Sequence, residues 1–209
     1  MARISVEDRS RQFIEAAARV IASEGIAAAT TRRIATEAGA PLAALHYCFR
    51  SKDDLLDEVY NHLSRDYARD LDPIPDSVGL DEAVDLHIHR VWRRMLNAPH
   101  EQVTTFELLL RTTRLADPED IAASNKINRS MYEAWVQSTS AVFRKAATSS
   151  NTVLKADVET VSRMLIASID GINLQHLSDP DLDRSALLID QLCATIKFLL
   201  HSQTNSSDS

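Results

Sequence analysis

Residues Ala38–Lys52 read AGAPLAALHYCFRSK. His46, Tyr47 and Cys48 stand in a row there, and Gly39 and Pro41 interrupt what would otherwise be one helix. The row resembles a metal or nucleophile site only on paper. On a helix from Leu42 to Phe49, residues two apart diverge by about 200°, so His46 and Cys48 cannot chelate one ion. Leu45, Cys48 and Phe49, three and four apart, share a face. The pattern predicts that this face turns inward, with Cys48 as a small core residue, and that His46 and Tyr47 point out.

The residues upstream explain why such a helix would be held out for contact. Phe13, Ala17, Val20 and Ile21 recur at helical spacing from Val6 to Glu24, and Gly25 suits the left-handed end of that helix. Thr30 or Thr31 caps a short helix to about Ala38. Ala35 is small enough for close helix approach, and Gly39 supplies a turn with positive φ. Pro41 suits the first turn of the next helix, from which Leu45 packs back. With Ile34, Ala38 and Phe49, residues 6–49 can close a three-helix core that presents its last helix outward. The outer residues Leu42, Ala43, His46 and Tyr47 carry little charge, which suits close approach to base edges and thymine methyls. Thr30, Thr31, Arg32, Arg33, Pro41 and Lys52 flank them as candidate phosphate-positioning and groove-edge groups.

The chain-wide pattern is helical. Only 4 Gly and 6 Pro occur in 209 residues, few for the turns of a many-stranded sheet. A helix is expected from Ser51 to about Leu71, acidic in its first turn at Asp53 and Asp54. DPIPDS, Asp72–Ser77, forbids helix. Further helices are expected at about 79–97, 99–115, 118–148, 155–178 and 183–201, with no strand-period segment and no internal repeat. The fold class is therefore all-α: an N-terminal helix-turn-helix domain over 1–50, and a helical domain over 51–201 with a connecting helix at 51–71, to which the resemblance described below assigns effector binding and dimerisation. A polar tail at 202–209 is expected to be disordered.

Net charge is −7, which taken alone disfavours nucleic acid, but it is uneven. The first 52 residues carry +3 and the remainder −10, compatible with a local phosphate-binding face on an acidic body. Two cysteines far apart, Cys48 and Cys193, fit a reducing compartment. No apolar run reaches the roughly 18 residues of a membrane span, and the N-terminus lacks a signal-peptide core. A cytoplasmic protein with no membrane partner is expected.

Other chemistry finds little support. There is no H-E-x-x-H, G-x-S-x-G, Gly-rich phosphate loop or zinc-spaced Cys pair. His87 and His89, two apart on a helix, diverge and are expected at the surface. Arg111 is expected to pair with Glu107 four residues earlier. Trp92, Met95, Phe106, Leu110, Asn128, Met131 and Trp135 combine aromatics, methionines and an amide as a small-ligand cavity does. Leu187, Leu188, Ile189, Leu192, Ile196, Phe198, Leu199 and Leu200 cover more than one stripe of the last helix, so one face can meet a partner. Val158, Val161, Leu165, Ile169 and Ile172 run in register on the helix before. Two such helices from each subunit would make a four-helix interface.

The stretch TTRRIATEAGAPLAALHYCFRSKDDLL, Thr30–Leu56, resembles the TetR family of bacterial transcriptional regulators. Ile34, Ala35, Ala38, Gly39, Leu45, Phe49, Ser51, Lys52 and Leu55 match the family's pattern. Pro41 stands where Ser or Thr is usual, Leu42 where Lys is frequent and Ala43 where Gly is usual, while His46 and Cys48 replace the common Tyr and His. The resemblance implies a homodimer, double-stranded operator DNA, a small-molecule effector held by the second domain, and no cofactor or catalysis. A repressor released from DNA by its effector is the expected function. Two alternatives remain at this stage: a helical dimeric adaptor without DNA binding, and an all-α metal-dependent enzyme using His46 with Cys48 or His87 with His89.

Overall fold

The computed structural model describes residues 5–69 and 71–202, and the side chains of all of these except 63–69. Among the described residues the chain is helical, with no strand. The expected tail beyond Ser202 lies outside the described residues. Backbone packing divides the chain into two units, Met1–Arg69 with Ala98–Met131, and Asp70–Asn97 with Tyr132–Ser209.

In the first unit, α1 (Val6–Glu24) starts at Ser5, whose Oγ accepts from the Asp8 N–H at 3.0 Å, and stops at Gly25 with φ +82°. α2 (Thr31–Glu37) is capped by Thr30, whose hydroxyl accepts from Arg33 N–H. It ends in a Schellman turn: Gly39 N–H donates to Thr36 O, Ala40 N–H donates to Ala35 O, and Gly39 takes φ +60°. Pro41, at the cap position rather than inside the helix, leads into α3 (Leu42–Cys48). Ser51 then caps α4 (Lys52–Arg69) by accepting from Asp54 N–H. Phe13, Ile21, Ile34, Leu45 and Leu55 are fully enclosed, and Phe13 meets Phe49 edge-on at 6.4 Å.

α6 (Pro99–Arg111) packs on α1 and α4. Thr104 of α6 donates to Ala18 O at 3.1 Å. The expected helix at 99–115 is shorter than that: it tightens into a 3-10 turn at Thr112–Arg114. A side-chain hydroxyl competes for the backbone there, Thr113 Oγ1 donating to Leu110 O, while Thr112 Oγ1 pairs with Ser124 Oγ. Arg111 does not pair with Glu107. It reaches Asp53 at 2.7 Å and Asp57 at 3.4 Å, while Glu107 accepts the Ile26 N–H at 2.5 Å. Partners distant in sequence outcompete the one a helical turn away.

The second unit contains α5 (Leu80–Asn97), the later part of α7 (Pro118–Ser149), α8 (Val158–Ser178) and α9 (Leu182–His201). The break at Asp72–Ser77 is present as non-helical chain. α8 begins at Val158 rather than 155, because the Asp157 carboxylate accepts from the Glu159 and Thr160 N–H groups and sets the start there. Ile88, Phe143, Leu165, Ile189, Ile196 and Leu200 form the core. Lys197 joins α9 to α5 through Asp85 at 2.8 Å.

His87 departs from its expected surface position. It is 2 % exposed, against Phe143. Its Nδ1 accepts from the Arg90 guanidinium, so the ring's proton sits on Nε2 and is donated to Thr139 Oγ1 at 3.1 Å. Burial first, and the Arg90 charge second, hold its pKa down at about 3. His89 does point outward, with Nδ1 2.8 Å from Asp85 O.

Candidate nucleic-acid interface and ligand-site residues

α3 is anchored from below and bare above. Leu45 is fully enclosed and Phe49, which ends the helix, is 4 % exposed. On the opposite side Pro41, Ala43 and His46 are exposed, Leu42 is half-buried and Tyr47 is 78 % exposed. Cys48 is half-exposed, not core. The inward stripe is only Leu45 and Phe49 wide, and Cys48 lies at its margin.

The flanking polar groups differ in what they are free to do. Thr30 is exposed but its hydroxyl is engaged in the cap, and Thr31 opens α2. Arg32 is exposed, and among the described residues its guanidinium has no ion pair. Arg33 is clamped by Glu24 at 2.6 Å and Glu37 at 3.1 Å; Glu37 also takes Arg19 at 3.1 Å. This network ties α2 to α1 and leaves Arg33 neutralised locally. Lys52 is half-buried and donates through Nζ to Ile26 O at 3.2 Å. Arg50 was not singled out from sequence, yet it is exposed immediately after α3, with only its backbone N–H bonded, to Asp54. A cation next to a recognition-type helix was the legible signal. Gln12 was missed as well: its Nε2 holds Ala38 O at 2.6 Å and so fixes the turn before α3.

The seven candidate ligand residues fall in both units. In the first, Met131 is buried, Phe106 half-buried and Leu110 exposed, so Leu110 lines no enclosed space within that unit. Asn128 Nδ2 donates to Thr112 Oγ1 at 3.1 Å and to Leu109 O at 3.4 Å. In the second, Met95 is buried, Trp92 is buried edge-on to His176 at 5.5 Å, and Trp135 stands edge-on to Tyr132 at 5.4 Å. Tyr132 in turn hydrogen-bonds Asp170. Asp170 is an acid inside the apolar run MLIASIDGINL of α8, a signal that the sequence reading passed over.

On α8, Val158, Val161, Leu165, Ile169 and Ile172 all turn inward, so they build the unit's own core rather than an outer interface. The outer stripe is Met164, Ala167, Gly171 and Leu174, and on α9 it is Leu187, Gln191, Ala194 and Phe198. Leu174, Leu187 and Phe198 are 56 %, 61 % and 70 % exposed. Among the described residues no helix is long and apolar enough to cross a membrane, and no three His, Cys, Asp or Glu residues gather as metal ligands.

Known proteins agree with this geometry. The family model described as bacterial regulatory proteins, tetR family, matches residues 13–59, the span from Phe13 through α3 into α4. Over 194 residues the chain is 34% identical to the HTH-type nicotine-responsive transcriptional repressor HdnoR of Paenarthrobacter nicotinovorans, covering 91% of this chain and 94% of that protein. The fold is that of a transcriptional regulator from Rhodococcus sp. Rha1, at a TM-score of 0.73, 19% identity, and coverage of 91% of this chain and 95% of that one. A TetR transcription regulator from Haloarcula marismortui gives 0.72, 21% identity, and coverage of 93% and 100%. With its helix-turn-helix matched and a repressor aligned along almost its whole length, the chain belongs to the TetR family of bacterial transcriptional regulators.

Proposed function

We propose that the protein is a homodimeric repressor that binds operator DNA through α3 and lets go when a small molecule occupies its second domain. Residues 1–50 read the DNA, and residues 51–201 carry effector and dimer functions, with 51–71 joining them. The observation that carries the reading is the two-sidedness of α3. A seven-residue helix keeps Leu45 in the core yet leaves Tyr47 78 % exposed and His46 beside it. An aromatic held out this way makes little contribution to folding and is available to a phosphate or a base.

Pro41, Leu42, Ala43, His46 and Tyr47 enter the major groove in this reading, and Thr30, Thr31 and Arg32 meet phosphates beside it. Arg33 and Lys52 act mainly by holding the turn in place, Arg33 through Glu24 and Glu37 and Lys52 through Ile26 O. Two such helices, one per subunit, reach successive grooves about 34–36 Å apart. The outer stripes of α8 and α9 supply the dimer contact. They are apolar, adjacent and uncovered in the protomer, and each large side chain buried there contributes roughly 1.5–3 kcal/mol.

An effector need only prefer one dimer geometry by about 1–3 kcal/mol to release the DNA. The similarity to a nicotine-responsive repressor makes nicotine the first effector to try. A protein that acts on operator DNA works in the cytoplasm. The test is a gel-shift titration of the purified protein on duplexes from its own promoter region, with and without nicotine. A shifted band with two protomers per duplex supports the reading. No preference for any promoter fragment over random DNA refutes it.

A further inference from the structure

The second unit holds a half-buried carboxylate that its own helices leave without a cation. Asp170 follows the buried Ile169 on α8 and is itself half-buried. Its partner is a phenol: Tyr132 of α7 donates to it. Among the described residues no Lys, Arg or His pairs with it. The Tyr132 ring stands at 82° to that of Trp135, centroids 5.4 Å apart. Three residues further along α8, Asn173 is 2 % exposed, and its Nδ2 has no hydrogen-bond partner among the described residues. Three more lead to His176, which meets Trp92 of α5 edge-on at 5.5 Å and places Nδ1 2.9 Å from Ser185 Oγ.

Residues three apart share a helix face, so Asp170, Asn173 and His176 form one row. Tyr132 and Trp135 stand at one end of it and Trp92 at the other. A carboxylate partly withdrawn from water without a countercharge is costly, and so is a buried amide N–H with no acceptor. The two deficits are complementary to one kind of molecule. It carries a positive charge at one end, and a hydrogen-bond acceptor a few ångströms away.

We propose that Asp170 is the counter-ion for a protonated amine, with Tyr132 and Trp135 packed against the cation and Asn173 Nδ2 donating to an acceptor on the same ligand. The proposal rests on the reading that this unit binds the effector, and it names the effector's chemical class. Aromatic faces attract a desolvated ammonium, and an N⁺–H···O⁻ bond is roughly twice as strong as a neutral one. A hard metal ion is a poor fit, since it wants several oxygen ligands and the row offers one carboxylate. An anionic ligand would meet Asp170 with like charge.

The probes are 3-(dimethylaminomethyl)pyridine, a cation at neutral pH with a ring-nitrogen acceptor, and its uncharged carbon isostere 3-isobutylpyridine. Binding to the intact protein is read by calorimetry and by tryptophan fluorescence. The chain's two tryptophans, Trp92 and Trp135, both border the row. The wild-type protein is expected to prefer the cation by about tenfold or more. Asp170→Asn, which keeps an acceptor for Tyr132, is expected to abolish that preference while holding the isostere within about threefold of wild type. Equal wild-type affinity for both probes, binding of neither, or a preference that survives Asp170→Asn overturns the proposal. The wild-type comparison decides the matter even if the variant does not fold. Operator binding is measured on the same samples. Loss of the amine site with DNA binding intact leaves the regulator reading standing; an Asp170-dependent cation preference without DNA binding removes the regulator reading alone.

Discussion

Replacing His87 tests the interior of the second unit. The ring is 2 % exposed, and its Nδ1 already accepts from Arg90. Protonation would therefore set an N–H against a guanidinium in a space shut off from water. Its pKa lies at about 3 in the fold, against 6.5 ordinarily. The unfolded chain therefore takes up a proton that the folded chain refuses. The stability His87 contributes is complete above about pH 6.5 and drains away as pH falls toward 3. Each unit costs about 1.4 kcal/mol, so about 2 kcal/mol is lost between pH 6.5 and 5. Asp170 acts in the opposite sense. Burial raises its pKa from 3.8 to about 6, the Tyr132 hydrogen bond opposing. It destabilises the fold at neutral pH and relieves about 1 kcal/mol between pH 6 and 5. The wild-type profile is thus a partial cancellation, and only a difference isolates His87. Urea unfolding of wild type and His87→Gln, at steps from neutral pH to 5, should give stability curves that converge by about 2 kcal/mol on acidification. Parallel curves would mean that the folded protein protonates His87 freely, and the burial argument would fail.

Three further outcomes follow from the same geometry. Gly39→Ala should destabilise by about 1 kcal/mol: φ there is +60°, while a Cβ would meet nothing within 4 Å, so the penalty is purely conformational and shows in thermal melts. Phe198→Asp should leave the protomer folded, since the ring is 70 % exposed, but convert dimer to monomer in sedimentation at micromolar concentration; an unchanged dimer would place the interface elsewhere. Leu45→Ala should cost about 2–5 kcal/mol through the cavity it opens under α3, read by urea unfolding, because the side chain is fully enclosed.

What the sequence disclosed was what is decided within a turn or two of chain. Gly25 and Gly39 were legible as positive-φ stops, and the cap was narrowed to Thr30 or Thr31, because the groups they satisfy lie within five residues. The alternation of Leu45 and Phe49 with His46 and Tyr47 gave the two faces of α3 for the same reason. The misses are interactions that cross the chain. Arg111 ignores Glu107 for Asp53 and Asp57, 58 and 54 residues away. His87 is buried because Thr139, 52 residues on, supplies an acceptor. α8 offered two apolar stripes, and periodicity alone cannot say which one its own unit covers. That choice put Val158 and Leu165 inside and Met164 and Leu174 outside. Where a helix ended early, as at Arg111, the Thr113 hydroxyl bonds the Leu110 carbonyl, a local effect that propensity understates.

The most direct test of the account is a titration of promoter-region duplex with wild type, Tyr47→Ala and His46→Ala across a range of salt concentrations. Both side chains are exposed, so both variants should fold with stability within about 0.5 kcal/mol of wild type. Each is expected to bind operator more weakly, by roughly 1–3 kcal/mol for a side chain that touches a base, and Tyr47→Ala is expected to keep the wild-type salt slope, because an uncharged phenol releases no counterion from the DNA. Variants that bind every duplex as tightly as wild type would show that α3 does not face DNA.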